Sequence, residues 1–350
     1  MFTATREIGM KTKHFIRQTI AHIGVSSGIV MRRLRRQLAT GPIVLAYHRI
    51  IDDDHPLAVF TYPQLQVSPS LFTKQIELVR SLGKVLSLEE LFQVGIHEPL
   101  PSGFLITFDD GWRDNFTEAL PVLQKMGVKG AVFATTGFVG TGSLCWTLRV
   151  WMFIRSGMEQ LRQLEEKHFG FNNKELVGEA RLHRLFSIVS SVSPHIRAQF
   201  IADVNNVHLS TFGPDQPKLA LSWEELKVLD SKGISIGGHT HNHEPLTLLD
   251  VPSRITELQR SYDELRHHLG KKICALSYPH SSYNPDVIAA AHKVGFTMSF
   301  GFKKIPSLPA DLQHRFLPRI EIDSRKTCGI GGKFSRVIML SHLARLGLWR

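Results

Sequence analysis

From residue 41 onward, short apolar runs alternate with segments whose apolar residues recur every three or four positions. This is the pattern of strands joined by helices in a parallel sheet. Pro42–His48 is predicted to be a buried strand, Gly103–Phe108 a second and Gly130–Thr135 a third. Between them, Ser68–Leu82 has Phe72, Ile76 and Val79 at helical spacing with a serine to cap it, and Thr117–Met126 is a helix stopped by Gly127. The rhythm resumes late in the chain. Leu221–Leu229 opens on Ser222 with Glu225 three residues on, a capping-box pair, and a short strand, Ile234–Ile236, follows. Ser253–Leu269 is an amphipathic helix closed by Gly270, Cys274–Tyr278 a strand and Pro285–Val294 a helix; Gly295–Phe302 and Phe316–Ile322 complete the series.

Between about 142 and 218 strand signals vanish, and apolar pairs such as Trp151/Ile154, Leu161/Leu164 and Leu182/Leu185 keep helical spacing. This segment reads as a helical insertion over one end of the body, whose Trp146 and Trp151 are placed to line a cleft. The organisation predicted is a basic N-terminal extension (1–40), one α/β domain (41–324) and a basic C-terminal tail (325–350).

Charge sharpens that division. The formal net charge is +11. Residues 1–40 carry eight Lys/Arg against Glu7 alone, and residues 325–350 carry six with no acid, which leaves the body near neutral. Nucleic-acid binding is therefore disfavoured, since the basicity avoids the body and no nucleic-acid motif is present. The ends read either as solvated tails or as peripheral contacts with an anionic membrane face, with apolar help from Phe15, Ile16, Ile20 and Ile23 at one end and Leu343, Leu346, Leu348 and Trp349 at the other. No apolar run reaches the ~20 residues of a membrane span, and no export signal is legible. Three scattered cysteines make no framework, so a cytoplasmic protein, peripheral at the inner membrane face, is expected.

Two stretches carry the chemistry. Ile106-Thr107-Phe108-Asp109-Asp110-Gly111 places two carboxylates at the end of a strand, where successive side chains point in different directions. His239-Thr240-His241-Asn242-His243 places two imidazoles four residues apart, also just after a strand. A carboxylate and two imidazoles make a hydrolytic divalent-metal site, and a spare carboxylate beside them can act as base. In parallel α/β folds the strands' C-terminal ends hold active sites. His241 reads as a solvated loop residue, and Thr240 as a hydroxyl that fixes the loop.

These stretches match T-[FY]-D-D and H-[ST]-x-x-H, and Leu276-Ser277-Tyr278-Pro279-His280 with Tyr283-Asn284 matches a third, Y-P-Y-G-x-Y-N motif. Over roughly 41–323 the chain resembles the polysaccharide deacetylases of the NodB-homology class (carbohydrate esterase family 4), in particular a bacterial exopolysaccharide-associated branch. The resemblance implies a deformed (β/α) barrel with fewer than eight full units. It implies a metal-dependent hydrolase that removes N-acetyl groups from amino sugars of a polysaccharide or of its polyprenyl-phosphate-linked precursor. Asp110, His239 and His243 would hold the divalent ion, Zn²⁺ for preference; Asp109 would be the base; Tyr278 and His48 would contact substrate. Ser277 stands where many members carry an arginine that supports the base, and Arg319 is the expected substitute. Met339-Leu340-Ser341-His342 is a loose match to the late motif that supplies the acid, which makes His342 the candidate proton donor. Deformylation of an amino sugar, or carbohydrate binding with weak catalysis, are the alternatives.

Overall fold

A computed structural model describes residues 15–346, apart from 96–97, 171–175, 214–216, 304, 306 and 314. Among these, seven parallel strands close into a barrel: β1 (Ile43–Tyr47), β2 (Phe104–Phe108), β3 (Gly130–Ala134), β4 (Ile234–Gly238), β5 (Ala275–Ser277), β6 (Met298–Gly301) and β7 (Phe316–Glu321). They are hydrogen-bonded in chain order, and β7 returns to β1. β1 to β4 are buried at every position, which is why they read as continuous apolar runs with no alternation. The deformed barrel of fewer than eight units is therefore what the chain forms.

Register fixes where the chemistry falls. Tyr47 pairs with Phe108, so His48 and Asp109 leave the barrel side by side. Ala134 pairs with Gly238, which sets Thr135 beside His239. Every motif residue thus emerges at the C-terminal mouth. Gly237 is required by close packing here: a Cβ would stand 2.6 Å from the Phe133 ring and 2.9 Å from the Ala275 carbonyl.

Outside the barrel, α3 (Pro69–Leu82) is capped by Ser68 and buries Phe72, Ile76 and Val79, as its spacing predicts. α4 (Leu120–Met126) is shorter than expected, since Asn115–Ala119 forms a π-helical turn before it. The insertion is four helices, α5 (Trp146–Arg155), α6 (Glu159–Phe169), α7 (Gly178–Ser191) and α8 (Pro194–Phe212), around a core of their own. Trp146 and Trp151 belong to that core and do not line the cleft. Trp146 stacks on Phe186, and Trp151 meets Tyr62 edge-on. α9 (Trp223–Ser231) has the capping box formed by Ser222 and Glu225, α10 (Val251–Leu269) is capped by Asp250 and α11 (Pro285–Val294) by Asn284.

The ends depart most from expectation. α2 (Ile29–Ala39) packs against α12 (Arg336–Leu343), and a helix over 15–26, α1, lies against the start of α2 and the segment 325–328, so neither is a solvated tail. Val30, Leu34, Met339 and Leu343 are all but inaccessible, and Gln37 donates to the Ala344 carbonyl. Basic composition had concealed an apolar stripe on each helix. No helix among the described residues is long and apolar enough to cross a membrane. Residues 1–14, and Leu348 and Trp349, lie outside the described residues.

Candidate active site

Asp109, the residue after β2, is clamped by Arg319 from β7. Arg319 Nη1 and Nη2 donate to Asp109 Oδ1 and Oδ2 at 2.7 and 2.6 Å. The same guanidinium donates to Ser277 Oγ at 2.7 Å and Thr107 Oγ1 at 3.3 Å, and it lies 4.8 Å from the Phe302 ring centroid. A planar fork facing a carboxylate head-on is the strong form of an ion pair. Burial is the largest influence on the Asp109 carboxyl and pushes it up, but the Arg319 charge and hydrogen bonds, with the nearby His239 and His48, together reverse this and hold the group below the usual carboxylate range. Asp109 is therefore ionised at neutral pH. Ser277, where an arginine stands in many members of the resembled family, is small enough to admit the guanidinium from β7 and offers it an acceptor.

Asp110 adopts a left-handed backbone (φ 71°) and turns its carboxylate away from its neighbour. Its Oδ1 lies 3.3 Å from His239 Nε2 and 3.2 Å from His243 Nε2, buried and without a well-formed hydrogen bond. Its Oδ2 accepts the Trp112 indole N–H at 2.8 Å. Burial raises this carboxyl, and the two imidazoles more than reverse that, holding it well below the usual range. His239 Nδ1 lies 2.8 Å from the Ser277 carbonyl; a carbonyl can only accept, so Nδ1 carries a proton and the ring turns Nε2 towards Asp110. Donor atoms of the three residues all lie within 4.8 Å of one another. One carboxylate oxygen and two ring nitrogens, converging on a buried oxygen that lacks a well-formed donor, fit a divalent cation, which would take the place of the proton that Asp110 now favours on His243.

The two histidines converge through strained turns and not through a helix. Thr240 and His243 both have φ near +60°, a costly conformation for a β-branched residue such as threonine. The Thr240 carbonyl accepts the Thr136 N–H and the His241 carbonyl accepts the Gly137 N–H, so backbone bonds hold the loop. The Thr240 hydroxyl is buried without a partner, contrary to its expected role. His241 is buried too, with Nδ1 bonded to Thr136 Oγ1 and facing Glu264, and it points away from the metal-fitting trio.

Asp109, Asp110, His239 and His243 share a cleft of about 370 Å³ with His48 and Tyr278. His48 Nε2 stands 4.0 Å from Asp109 Oδ2. The insertion closes one side through Cys145, Thr147 and Leu148, while Glu321 and Phe302 line another part. His280 also faces the cleft at φ 55°, set between His243, which it meets edge-on, and Phe186, to which it is tilted (4.6 and 4.7 Å between ring centroids), and burial keeps its imidazole neutral.

His342 is not brought to this cleft. It sits on α12 behind β7, its Nε2–H donating to the Glu321 carbonyl at 2.8 Å, and burial lowers its pKa to about 4. Its apolar-pair-then-histidine pattern belongs to a helix packed on the barrel. Trp112 and His280 were missed by the sequence reading. The first directly follows Asp-Asp-Gly; the second fills the second tyrosine position of the third motif. Either could have been singled out by its neighbours.

Comparison with known proteins bears on the family and the fold. A profile described as "Polysaccharide deacetylase" matches residues 99–299. YxkH of Bacillus subtilis (strain 168), classed with the polysaccharide deacetylases, is 22% identical over 204 residues, 57% of this chain. That match spans 45% of the relative, less than half its length. The Streptococcus pyogenes deacetylase PplD, solved in complex with acetate, is similar over 86% of this chain and 97% of its own, at 20% identity and a TM-score of 0.53. IcaB from Ammonifex degensii is similar over 87% of this chain and 97% of its own, at 18% identity and a TM-score of 0.50. At such identities the structural likeness establishes a shared fold.

Proposed function

The chain belongs to the polysaccharide deacetylase family, and we propose that it hydrolyses N-acetyl groups of amino sugars in a polysaccharide or in its lipid-linked precursor. The observation that carries this reading is the pairing of an ionised, arginine-clamped carboxylate with an under-satisfied carboxylate–imidazole trio at one barrel mouth. Asp110, His239 and His243 would hold a divalent ion, with zinc favoured by the two nitrogen donors. Such an ion, when bound, polarises an amide carbonyl and eases ionisation of water.

The chain's own residues supply the rest. Asp109 accepts the proton of the attacking water, and Arg319 holds both its oxygens in place so that the carboxylate is aimed before substrate arrives. Tyr278 and His280 shape the wall against which the sugar packs. The departing amine needs a proton, and His48, beside Asp109 at the barrel mouth, is placed in the cleft to give it where His342 is not. The test is acetate release from N-acetylglucosamine oligomers and lipid-linked N-acetylated sugars, with Zn²⁺ and after chelation. Metal-dependent acetate release that vanishes in Asp109→Asn supports the proposal. Release of formate alone from N-formylated sugars, or sugar binding with no hydrolysis at any metal, would overturn it.

A further inference from the structure

Five of the eleven large hydrophobic residues that stand exposed among the described residues fall within 15–29: Phe15, Ile16, Ile20, Ile23 and Ile29. They are concentrated in one short stretch of chain and not scattered over the surface. On α1, Ile16, Ile20 and Ile23 are four and three residues apart and therefore share a face. Phe15 and Ile23 are each 63% exposed, more than a packed helix leaves an isoleucine or phenylalanine without cause.

The other face of α1 is committed to the body. Ala21 is fully buried, Arg17 Nη2 donates to the Arg325 and Cys328 carbonyls, and a Cβ on Gly24 would stand 3.1 Å from Val30. The helix is thus held rigidly with its apolar stripe outward. Its neighbour α2 buries Val30 and Leu34 and turns Ile29, Arg32, Arg33 and Arg36 to solvent. Those arginines follow Ile29 by three, four and seven residues, on one face. Residues 15–39 contain five arginines and no acid. Beside α1, the segment that Arg17 grips walls a groove of about 1,120 Å³ lined by Lys74, Arg325 and Lys333, with Asp53 as its one carboxylate. Arg325 shares its charge with Glu179.

We infer that α1 and α2 form a membrane-docking face for an anionic phospholipid surface. Exposed isoleucines would enter the interface between headgroups and acyl chains, and the arginines would sit at the level of the lipid phosphates. Charge complementarity selects this occupant: a purely apolar partner would gain nothing from three exposed arginines on one face that no acid on these helices neutralises. Arg17 grips the short helix Ser324–Thr327 and its cap Cys328, which begin three residues after β7, so the N-terminal end of α1 lies at the barrel end that carries the cleft. Docking would then hold the cleft at a fixed height and tilt over the bilayer, within reach of a lipid-carried sugar. The surface stands independently of the chemistry proposed for the cleft.

Co-sedimentation of the full chain with vesicles tests this without any activity assay. The vesicles are phosphatidylcholine alone or phosphatidylcholine with 30% phosphatidylglycerol, at 50 and 300 mM salt. The expected result is binding to the anionic vesicles that weakens with salt. Ile20→Glu/Ile23→Glu should lower the partition coefficient at least ten-fold, and Arg32→Gln/Arg33→Gln/Arg36→Gln should erase the preference for anionic lipid. All these side chains are exposed, so circular dichroism should be unchanged. Three results would overturn the inference: no partition to either vesicle, equal binding by wild type and Ile20→Glu/Ile23→Glu, or a dimer in sedimentation velocity that the isoleucine variant dissolves while vesicles remain unbound.

Discussion

Asp109 and Asp110 are neighbours in the chain and opposites in their surroundings. Every oxygen of Asp109 meets an N–H of Arg319, whereas Asp110 presents one buried oxygen to two imidazoles and no well-formed donor. A satisfied carboxylate keeps its charge and its orientation, which suits a base. A carboxylate with one oxygen short of a well-formed donor between two imidazoles is incomplete as it stands, and a dication completes it. The left-handed backbone at Asp110 makes the division possible, since an extended residue there would continue the strand geometry instead of turning aside.

The largest effect expected on this comparison is at turnover. Asp109→Asn keeps shape and some hydrogen bonding but removes the base, so acetate release should fall about 10²–10⁴-fold. Arg319→Met should next show in stability, because it strands a buried carboxylate. Loss of one partner of a buried pair costs about 3–5 kcal/mol, to be read from urea unfolding. Arg319→Lys keeps the charge without the fork, and it should recover stability better than turnover. Smaller again is Trp112→Phe, which deprives Asp110 Oδ2 of its donor. Outer hydrogen bonds of this kind are worth about 10–100-fold in metal affinity, measurable by competition with a chelating dye.

The barrel strands were legible because each is buried on both sides, so that hydrophobic content alone marks them. The Asp-Asp and His-x-x-x-His motifs were legible because both follow such strands directly. The clamp was only half legible. Asp109 and Arg319 are 210 residues apart, and nothing local in Leu317-Pro318-Arg319 says that β7 closes the barrel next to β1. His342 misled for the opposite reason. An apolar pair followed by a histidine is a motif in one family and an ordinary turn of buried helix in any protein. Likewise Val30 and Leu34 were hidden among arginines, and a run that reads as a basic tail is in fact a packed helix.

The smallest expected effect tests that correction. His342→Gln can still donate to the Glu321 carbonyl, so turnover should stay within about two-fold. Stability is where it should register. The folded pKa of about 4 lies below the unfolded value near 6.5, so the unfolded chain takes up the proton first as pH falls. Stability is therefore complete above about pH 6.5 and is lost progressively down to about pH 4. Removing this titration should flatten that decline by about 3 kcal/mol in urea melts across the window. A hundred-fold loss of turnover in His342→Gln would return the histidine to the catalytic machinery.

The division between the two aspartates is tested most directly by calorimetric titration of Zn²⁺ into Asp109→Asn and Asp110→Asn, each stripped of metal first. Asp109→Asn should bind one ion with an affinity within about ten-fold of wild type while releasing no acetate, and Asp110→Asn should lose at least 100-fold in affinity. The reverse order, with Asp110→Asn binding as wild type and Asp109→Asn failing to bind, would contradict the assignment of metal to one carboxylate and proton to the other.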